Sequence, residues 1–182
     1  VNDGTITLNM SGQADIYSYL FFHAGKFLED NGRMGIVVSN SWLDTGYGLE
    51  LKKFFLNNFK IIAIVNSWAE PWFEEASVNT VFIILEKSTK AEVINHEARF
   101  VKVKKKLAEL VPFDDLKIEE VKRWQRFDAL VSKIVNASED MRQFDKNIEI
   151  QKSDSITTYE DDDFRIRIIK QEELLKEIDE QG

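Results

Sequence analysis

Apolar positions in the first part of the chain follow a helical period and then an extended one. From residue 13 onward, apolar side chains recur at helical spacing at Ile16, Leu20, Ala24, Phe27 and Leu28. This spacing predicts a helix of about four turns, with Asp15 at its start and Gly32 as a left-handed stop. The continuous apolar run 34–38 follows at once and predicts a central strand that is covered on both faces.

Helix and strand then alternate a second time. Helical spacing over residues 48–58 precedes a buried strand at residues 61–65. Two such units predict a parallel sheet with crossover helices, hence an α/β domain. A third strand, residues 78–85, is separated from the second by only a short connector, and strands joined this closely usually run antiparallel. We therefore expect parallel strands that end in an antiparallel hairpin.

The pattern changes after Lys87. Residues 98–103 alternate weakly as a strand, and residues 114–137 have the spacing of one or two helices. The polar, acidic segment 151–163 is expected to be a loop. Residues 164–169 alternate as a strand, and a charged helix completes the chain.

This change predicts two regions. Residues 1–90 form the α/β part, and residues 91–182 form a mixed α/β extension or connector. A chain of 182 residues with 43% apolar side chains is large enough to bury a sizeable core. Because the first residue is valine, we expect the chain to be a piece of something longer.

Composition narrows the possible chemistry. The sequence has no cysteine, which removes disulfides and thiolate chemistry and makes a cytoplasmic location the expectation. Its two histidines, His23 and His96, are far apart, so no histidine-pair metal motif is predicted. The carboxylates at residues 161–163 lack calcium-loop spacing and predict a solvated turn rather than a metal site. No signal peptide or membrane span is predicted.

Charge leaves room for a local nucleic-acid contact only. The chain has 24 basic and 32 acidic side chains, a formal charge of -8, which argues against a footprint over the whole surface. Lys102, Lys104 and Lys105 belong to a local basic run and are candidates for phosphate contacts. The alternative is that they form the solvated edge of a strand.

The connector between the second and third strands is rich in aromatic residues. It carries Trp68, Trp72 and Phe73. Connectors run over the surface and gain little from large apolar side chains unless something covers them. The three rings therefore indicate the wall of a pocket or, alternatively, a cap beneath the turn at the end of the core.

Three segments of the first half carry a family resemblance by their order and spacing. They are Asp15-Ile16-Tyr17 at a helix start, residues 31–43 (NGRMGIVVSNSWL) and residues 73–85 (FEEASVNTVFIIL). Together they resemble the N6-adenine DNA methyltransferases, most closely those of type I and type IIG restriction-modification systems. The match runs from about residue 13 to residue 87. It implies that residues 1–90 are the C-terminal half of a Rossmann-like methyltransferase fold and that residues 91–182 lead toward a target-recognition region. It also implies S-adenosylmethionine as cofactor and double-stranded DNA as substrate.

The resemblance also implies roles for individual residues. Asp15, Tyr17 and Leu20 would lie in the neighbourhood of the cofactor pocket, and Phe73 would pack against a flipped-out adenine. Extruding a base costs a few kcal/mol, and stacking on an aromatic ring returns about 1 to 3 kcal/mol. An aromatic residue at position 73 is therefore chemically suited to that role.

Two motifs of the family are missing from these 182 residues. The cofactor-binding glycine motif and the Asn-Pro-Pro-Tyr loop would both precede Asp15. The resemblance therefore implies that no catalytic residue lies in this chain, that the N-terminal half of the methyltransferase domain is its partner, and that the chain alone is inactive. Two alternatives stay open: a non-catalytic DNA-binding or assembly module on the same scaffold, and methylation of RNA or of a protein side chain.

Overall fold

The computed structural model describes residues 14–73, 79–111, 120–137 and 147–181. The strands of these residues are β1 (Arg33–Ser39), β2 (Phe59–Ser67), β3 (Thr80–Lys87), β4 (Glu97–Val103), β5 (Glu149–Lys152), β6 (Ile156–Glu160) and β7 (Phe164–Lys170). The helices are α1 (Ile16–Phe27), α2 (Gly48–Asn58), α3 (Lys90–Asn95), α4 (Leu107–Leu110), α5 (Glu120–Val135) and α6 (Gln171–Gln181), with a 3-10 turn at Ser41–Leu43. Among the described helices, none combines the length and the apolar character that crossing a membrane requires.

The strands form one mixed sheet in the order β1-β3-β2-β4-β7-β6-β5. β1 and β2 run in the same direction, as the helix–strand alternation predicts, but β3 lies between them and pairs antiparallel with both. The predicted hairpin of β2 and β3 is thereby confirmed. β1 differs from its prediction as a central strand, because it is an edge strand within the described residues and Val37 is 46% exposed. An apolar run indicates that a strand is to be covered, but it does not say by which residues.

The sheet continues past residue 90. β4 pairs parallel with β2, from Ile64↔Phe100 to Ser67↔Val103, and antiparallel with β7. The last helix, α6, packs into the same core as α2. The proposed division between residues 1–90 and 91–182 thus crosses a continuous sheet, and it stays a prediction.

The segment expected to be a loop, residues 151–163, contains strands instead. β5 and β6 form an antiparallel hairpin, and β6 pairs along its length with β7. β-branched and aromatic side chains at residues 156–159 favour an extended conformation. β6 pairs with a strand on each side, β5 and β7, and these backbone hydrogen bonds stabilise a strand despite the polar residues around it.

The acidic turn after β6 is partly buried rather than fully solvated. The carboxylate of Asp161 accepts the backbone N–H groups of Asp163 and Phe164, each at 2.7 Å, and pairs with Lys133 at 2.5 Å. Burial alone would raise the pKa of Asp161, but these partners outweigh it and hold the pKa below its usual range. Within the described residues, no group of three or more histidine or carboxylate side chains is arranged to hold a metal ion.

Helix α1 packs through a face that its apolar spacing does not predict. Its buried residues are Ser18, Phe21, Phe22 and Gly25. Ile16, Leu20 and Phe27, which the spacing assigns to one face, are 79%, 58% and 83% exposed. Gly25 permits the close approach because a Cβ there would lie 3.0 Å from the ring of Phe59. The exposed stripe of Ile16, Leu20 and Phe27 is an apolar surface that another element can cover.

The turn after α1 also differs from its prediction. Leu28 caps the helix in an extended conformation, and Asn31, with φ of 62°, is the residue in the left-handed region. Asparagine tolerates this conformation. Gly32 is needed for space instead, since a Cβ there would lie 2.8 Å from the carbonyl oxygen of Glu29.

Two hydrophobic cores lie on opposite faces of the sheet. The first joins α1, α2 and α6 to β1, β2 and β3 and includes Ile64. The second joins α5 to β4, β6 and β7 and is contacted by Val65. Because adjacent residues of a strand point to opposite faces, Ile64 and Val65 identify the two sides.

Gln171 ties the last helix to β2. Its side chain is 1% exposed. The amide oxygen accepts the N–H of Ile61 at 2.7 Å, and the amide nitrogen donates to the carbonyl of Phe59 at 3.0 Å. These bonds satisfy backbone groups next to an irregularity in the β2–β3 register, which lies between Ile61 and Ala63.

Candidate functional site

The carboxyl ends of β1, β2 and β4 lie at one edge of the sheet. Ser39, at the end of β1, pairs with Thr80, the first residue of β3. Ser67, at the end of β2, pairs with Val103 at the end of β4. Ligands of open α/β sheets bind outside the carboxyl ends of the strands. This edge is therefore where a site is expected.

A chain of polar contacts joins the start of α1 to the end of β1. The hydroxyls of Tyr17 and Tyr47 lie 2.9 Å apart, and the Tyr47 hydroxyl donates to a carboxylate oxygen of Asp15 at 3.4 Å. The Ser41 side chain interacts electrostatically with the Tyr17 hydroxyl and hydrogen-bonds the hydroxyl of Ser39. The structure thus brings Asp15 and Tyr17 together at the sheet edge.

The Tyr17 hydroxyl is held in its neutral form. Burial raises its pKa well above the usual range, and the hydrogen bond with Tyr47 and the nearby Asp15 carboxylate add to the shift. Tyr17 therefore stays protonated at physiological pH. It can donate and accept hydrogen bonds, but it does not act as a base.

Tyr47 is a member of this cluster that neither spacing nor resemblance predicts. It precedes α2, where the backbone of the buried Trp42 passes so close to Gly48 that a Cβ on Gly48 would lie 1.7 Å from the Trp42 carbonyl oxygen. Only glycine fits at this position, and the contact fixes where Tyr47 enters the helix. The glycines on both sides, Gly46 and Gly48, are the sequence signal that marks this turn.

Leu20 belongs to the exposed stripe of α1. It is 58% exposed and follows Tyr17 by three residues, so the two side chains are neighbours on the helix surface. Leu20 therefore places an apolar surface beside the polar cluster. Among the described residues, Leu20 is a member of neither hydrophobic core.

The structure separates the three aromatic residues of the connector. Trp72 packs against the core of β4, β6 and β7, so it caps the core as the alternative interpretation holds. Phe73 and Trp68 are 51% and 58% exposed. The next residues, 74–78, lie outside the described part of the chain. Phe73 thus presents its ring at the surface, on the segment that leaves the carboxyl end of β2.

The three lysines of the basic run have different environments. Lys104 pairs with Glu160 at 3.0 Å, and Lys105 pairs with Asp163 at 2.7 Å. Lys102 instead lies over the exposed ring of Trp68, with its Nζ atom 4.6 Å from the ring centroid. Because carboxylate partners compete with phosphate for a cation, Lys102 is the best placed of the three for a phosphate contact.

Known proteins are similar to parts of this chain. Residues 4–73 match the family described as Eco57I restriction-modification methylase. A stretch of 84 residues is 27% identical to the type II methyltransferase M.BstVI of Geobacillus stearothermophilus, and it covers 45% of this chain and 15% of that protein.

The fold is similar to that of the type IIG restriction endonuclease BpuSI. The TM-score is 0.59 at 15% sequence identity, over 92% of this chain and 16% of the other. At this identity the likeness shows the fold alone. The predicted methyltransferase-type α/β fold is confirmed, and the chain is similar to a fragment of a restriction-modification methyltransferase. It spans about a sixth of the length of these relatives.

Proposed function

We propose that this chain is part of a DNA methyltransferase that transfers a methyl group from S-adenosylmethionine to N6 of adenine in a restriction-modification system. The observation that carries the proposal is the polar cluster of Asp15, Tyr17 and Tyr47 at the carboxyl end of β1. Asp15 and Tyr17 lie within the region that matches the restriction-modification methylase family, residues 4–73. A cytoplasmic location stays a prediction.

The described residues fit one wall of a cofactor pocket. The carboxylate of Asp15 and the hydroxyls of Tyr17 and Tyr47 offer hydrogen-bonding groups to the polar parts of a cofactor, and Leu20 offers an apolar surface beside them. S-adenosylmethionine supplies an electrophilic methyl group when bound. The role of this chain in that chemistry is to bind and orient the cofactor, because the Tyr17 hydroxyl keeps its proton and does not act as a base.

Phe73 is the proposed stacking surface for the target base. Its ring is half exposed and is not required by either core. Stacking worth about 1 to 3 kcal/mol offsets part of the cost of base extrusion. The neighbouring Trp72 packs against the second core and anchors the connector that carries Phe73.

The remaining walls of the site are proposed to come from the N-terminal half of the methyltransferase domain. Among the described strands, β1 pairs only with β3, so its other edge offers free backbone groups to a further strand. Val37 on β1 and Phe27 on α1 are 46% and 83% exposed, which is apolar surface for such a partner to cover. Without that partner, the chain is proposed to be inactive.

The activity is tested with the full-length protein that contains these residues. Radiolabelled S-adenosylmethionine is incubated with duplex DNA, RNA or protein, and the labelled product is identified by mass spectrometry. We expect N6-methyladenine in DNA. Methylation of RNA or protein alone contradicts the proposed substrate, and cofactor and DNA binding without any transfer supports the non-catalytic module instead.

The role of Phe73 is tested by Phe73→Ala in the same protein. Loss of about 1 to 3 kcal/mol of stacking lowers kcat/KM by about 5- to 150-fold and weakens the fluorescence change of 2-aminopurine at the target position. Phe73→Trp restores a ring and should recover most of both signals. Trp124→Ala removes a ring of similar exposure, 58%, from α5 and serves as the control. Unchanged turnover and fluorescence in Phe73→Ala contradict the assignment.

A further inference from the structure

A groove of about 370 Å³ lies on the sheet face that carries α6, where β2, β4 and β7 meet. Its apolar wall includes Phe100 on β4 and Leu174 on α6. Its polar lining residues are Asn66, Lys102, Arg165, Arg167 and Glu177. Three of these five side chains are cationic and one is acidic, so the groove carries excess positive charge in a chain of negative net charge.

Strand register brings the cationic residues together. Asn66 pairs with Lys102 across β2 and β4, and Lys102 pairs with Arg165 across β4 and β7. Directly paired residues point to the same face of a sheet, so these three side chains form a row across the strands. Arg167, two residues after Arg165, lies on the same face.

Two of the cations have no carboxylate partner among the described residues. Lys102 lies over the ring of Trp68, with its Nζ atom 4.6 Å from the ring centroid. The side chain of Arg167 is exposed and makes no hydrogen bond or ion pair within the described part of the chain. Their charges are therefore available to an anion that enters the groove.

The third cation is only partly neutralised. The Nε atom of Arg165 lies 3.4 Å from a carboxylate oxygen of Glu160, yet this buried Nε lacks a hydrogen-bond partner in the described residues. Glu160 also pairs with Lys104 at 3.0 Å. One carboxylate thus serves two cations, which leaves Arg165 with unused donor capacity.

We propose that this groove, formed by Asn66, Lys102, Arg165 and Arg167, binds the phosphodiester backbone of duplex DNA beside the extruded base. The inference rests on the proposed function and adds the surface that holds the flanking strand. Charge complementarity selects the partner, because phosphate contacts supply sequence-independent affinity through lysine and arginine. Asn66 can donate a further hydrogen bond to a phosphate oxygen.

The position of the groove fits this role. The N–H of Trp68 donates to the carbonyl of Val103 at 2.8 Å, which keeps the start of the connector beside the end of β4. The connector then leads to Phe73, so the groove and the proposed stacking ring are joined by one short segment. Arg165 and Arg167 are about 6.8 Å apart along β7, the axial rise of about two phosphates on one DNA strand.

The groove is tested by DNA binding of the full-length protein without cofactor. Fluorescence anisotropy of a labelled duplex is measured over about 50 to 200 mM salt for the wild type, Arg167→Gln and the pair Lys102→Gln with Arg167→Gln. Each lost phosphate contact should reduce the slope of log K against log salt by about 0.9. We expect a reduction of about 1 for the single variant and about 2 for the pair.

The matched control is Lys170→Gln. Lys170 is also an exposed cation on β7, but it points to the opposite face and does not line the groove. It should leave the slope unchanged. If the pair of substitutions lowers the melting temperature, the single variants Arg167→Gln and Arg167→Glu decide the question, since Arg167 is exposed.

The result is independent of catalysis. The proposed groove is contradicted if Arg167→Glu keeps the wild-type slope of log K against log salt, or if Lys170→Gln reduces this slope as much as Arg167→Gln does. This holds whether or not the protein methylates DNA. A wild type that binds DNA through these residues but transfers no methyl group supports the groove and contradicts the proposed function.

Discussion

Replacing Gly48 by alanine adds one methyl group where the backbone leaves no room for it. The new Cβ would lie 1.7 Å from the carbonyl oxygen and 2.6 Å from the carbonyl carbon of Trp42, whereas comfortable contact begins at about 3.5 Å. Trp42 cannot move freely, because it is 1% exposed and packs edge-on against Phe55 with ring centroids 5.5 Å apart. Relief therefore requires a shift of backbone at the start of α2.

The expected cost is about 3 kcal/mol, the upper end of the range for overpacking a core. Helix propensity alone predicts the opposite sign, a gain of up to about 1 kcal/mol for alanine over glycine. Urea unfolding followed by tryptophan fluorescence measures the difference. Because Gly48 fixes the start of α2, Gly48→Ala should also move the Tyr47 hydroxyl away from Tyr17 and weaken cofactor binding by the full-length protein.

Gly46→Ala is the matched control. A Cβ at Gly46 meets no atom within 4 Å, so this variant changes backbone freedom without a clash and should stay within about 1 kcal/mol of the wild type. Equal stability of Gly46→Ala and Gly48→Ala would refute the close contact with Trp42 and, with it, the account of how Tyr47 is positioned.

Three further variants test the packing and the ionisable groups. Gln171→Leu leaves two buried backbone groups unpaired, including the N–H of Ile61, and should lower the unfolding free energy by about 3 kcal/mol in urea. Burial lowers the pKa of His96, so protonation of His96 favours the unfolded state. The free energy of unfolding should therefore fall from pH 7 to pH 5. In His96→Asn, the melting temperature should depend less on pH over this range. Because the pKa of Asp161 is lowered in the folded state, its charged form stabilises the fold above an unfolded pKa of about 3.9, and this stabilisation is lost at lower pH. Asp161→Asn removes the ion pair with Lys133, so the free energy of unfolding of this variant should depend less on pH below pH 4.

Much of the fold follows from local pattern. The short connector specifies the β2–β3 hairpin, and apolar alternation locates β7 and the helix after it. Spacing does not determine which face of α1 is buried, because that choice depends on Gly25 fitting against Phe59. It also does not show that residues 156–160 form a strand, because the decisive factor is pairing with β7.

The candidate site divides in the same way. Asp15 and Tyr17 are local to one helix start and can be paired from the sequence, whereas Tyr47 reaches them from 30 residues away. Their role beside a cofactor stays a prediction. The basic run is visible in the sequence, but the ion pair that engages Lys104 depends on Glu160, 56 residues away. Long-range register of this kind has no signal in a single sequence.

The bonds made by Gln171 have a consequence for synthesis. The two side chain–backbone bonds span 110 and 112 residues, and ribosomes add about 5 to 20 residues per second. For about 5 to 20 s after Ile61 is made, the apolar start of β2 lacks the partner that satisfies its backbone. Strand segments of this kind are prone to aggregate while unpaired. The start of β2 thus depends on Gln171, which is synthesised 110 residues later. A chaperone would therefore protect this strand during translation.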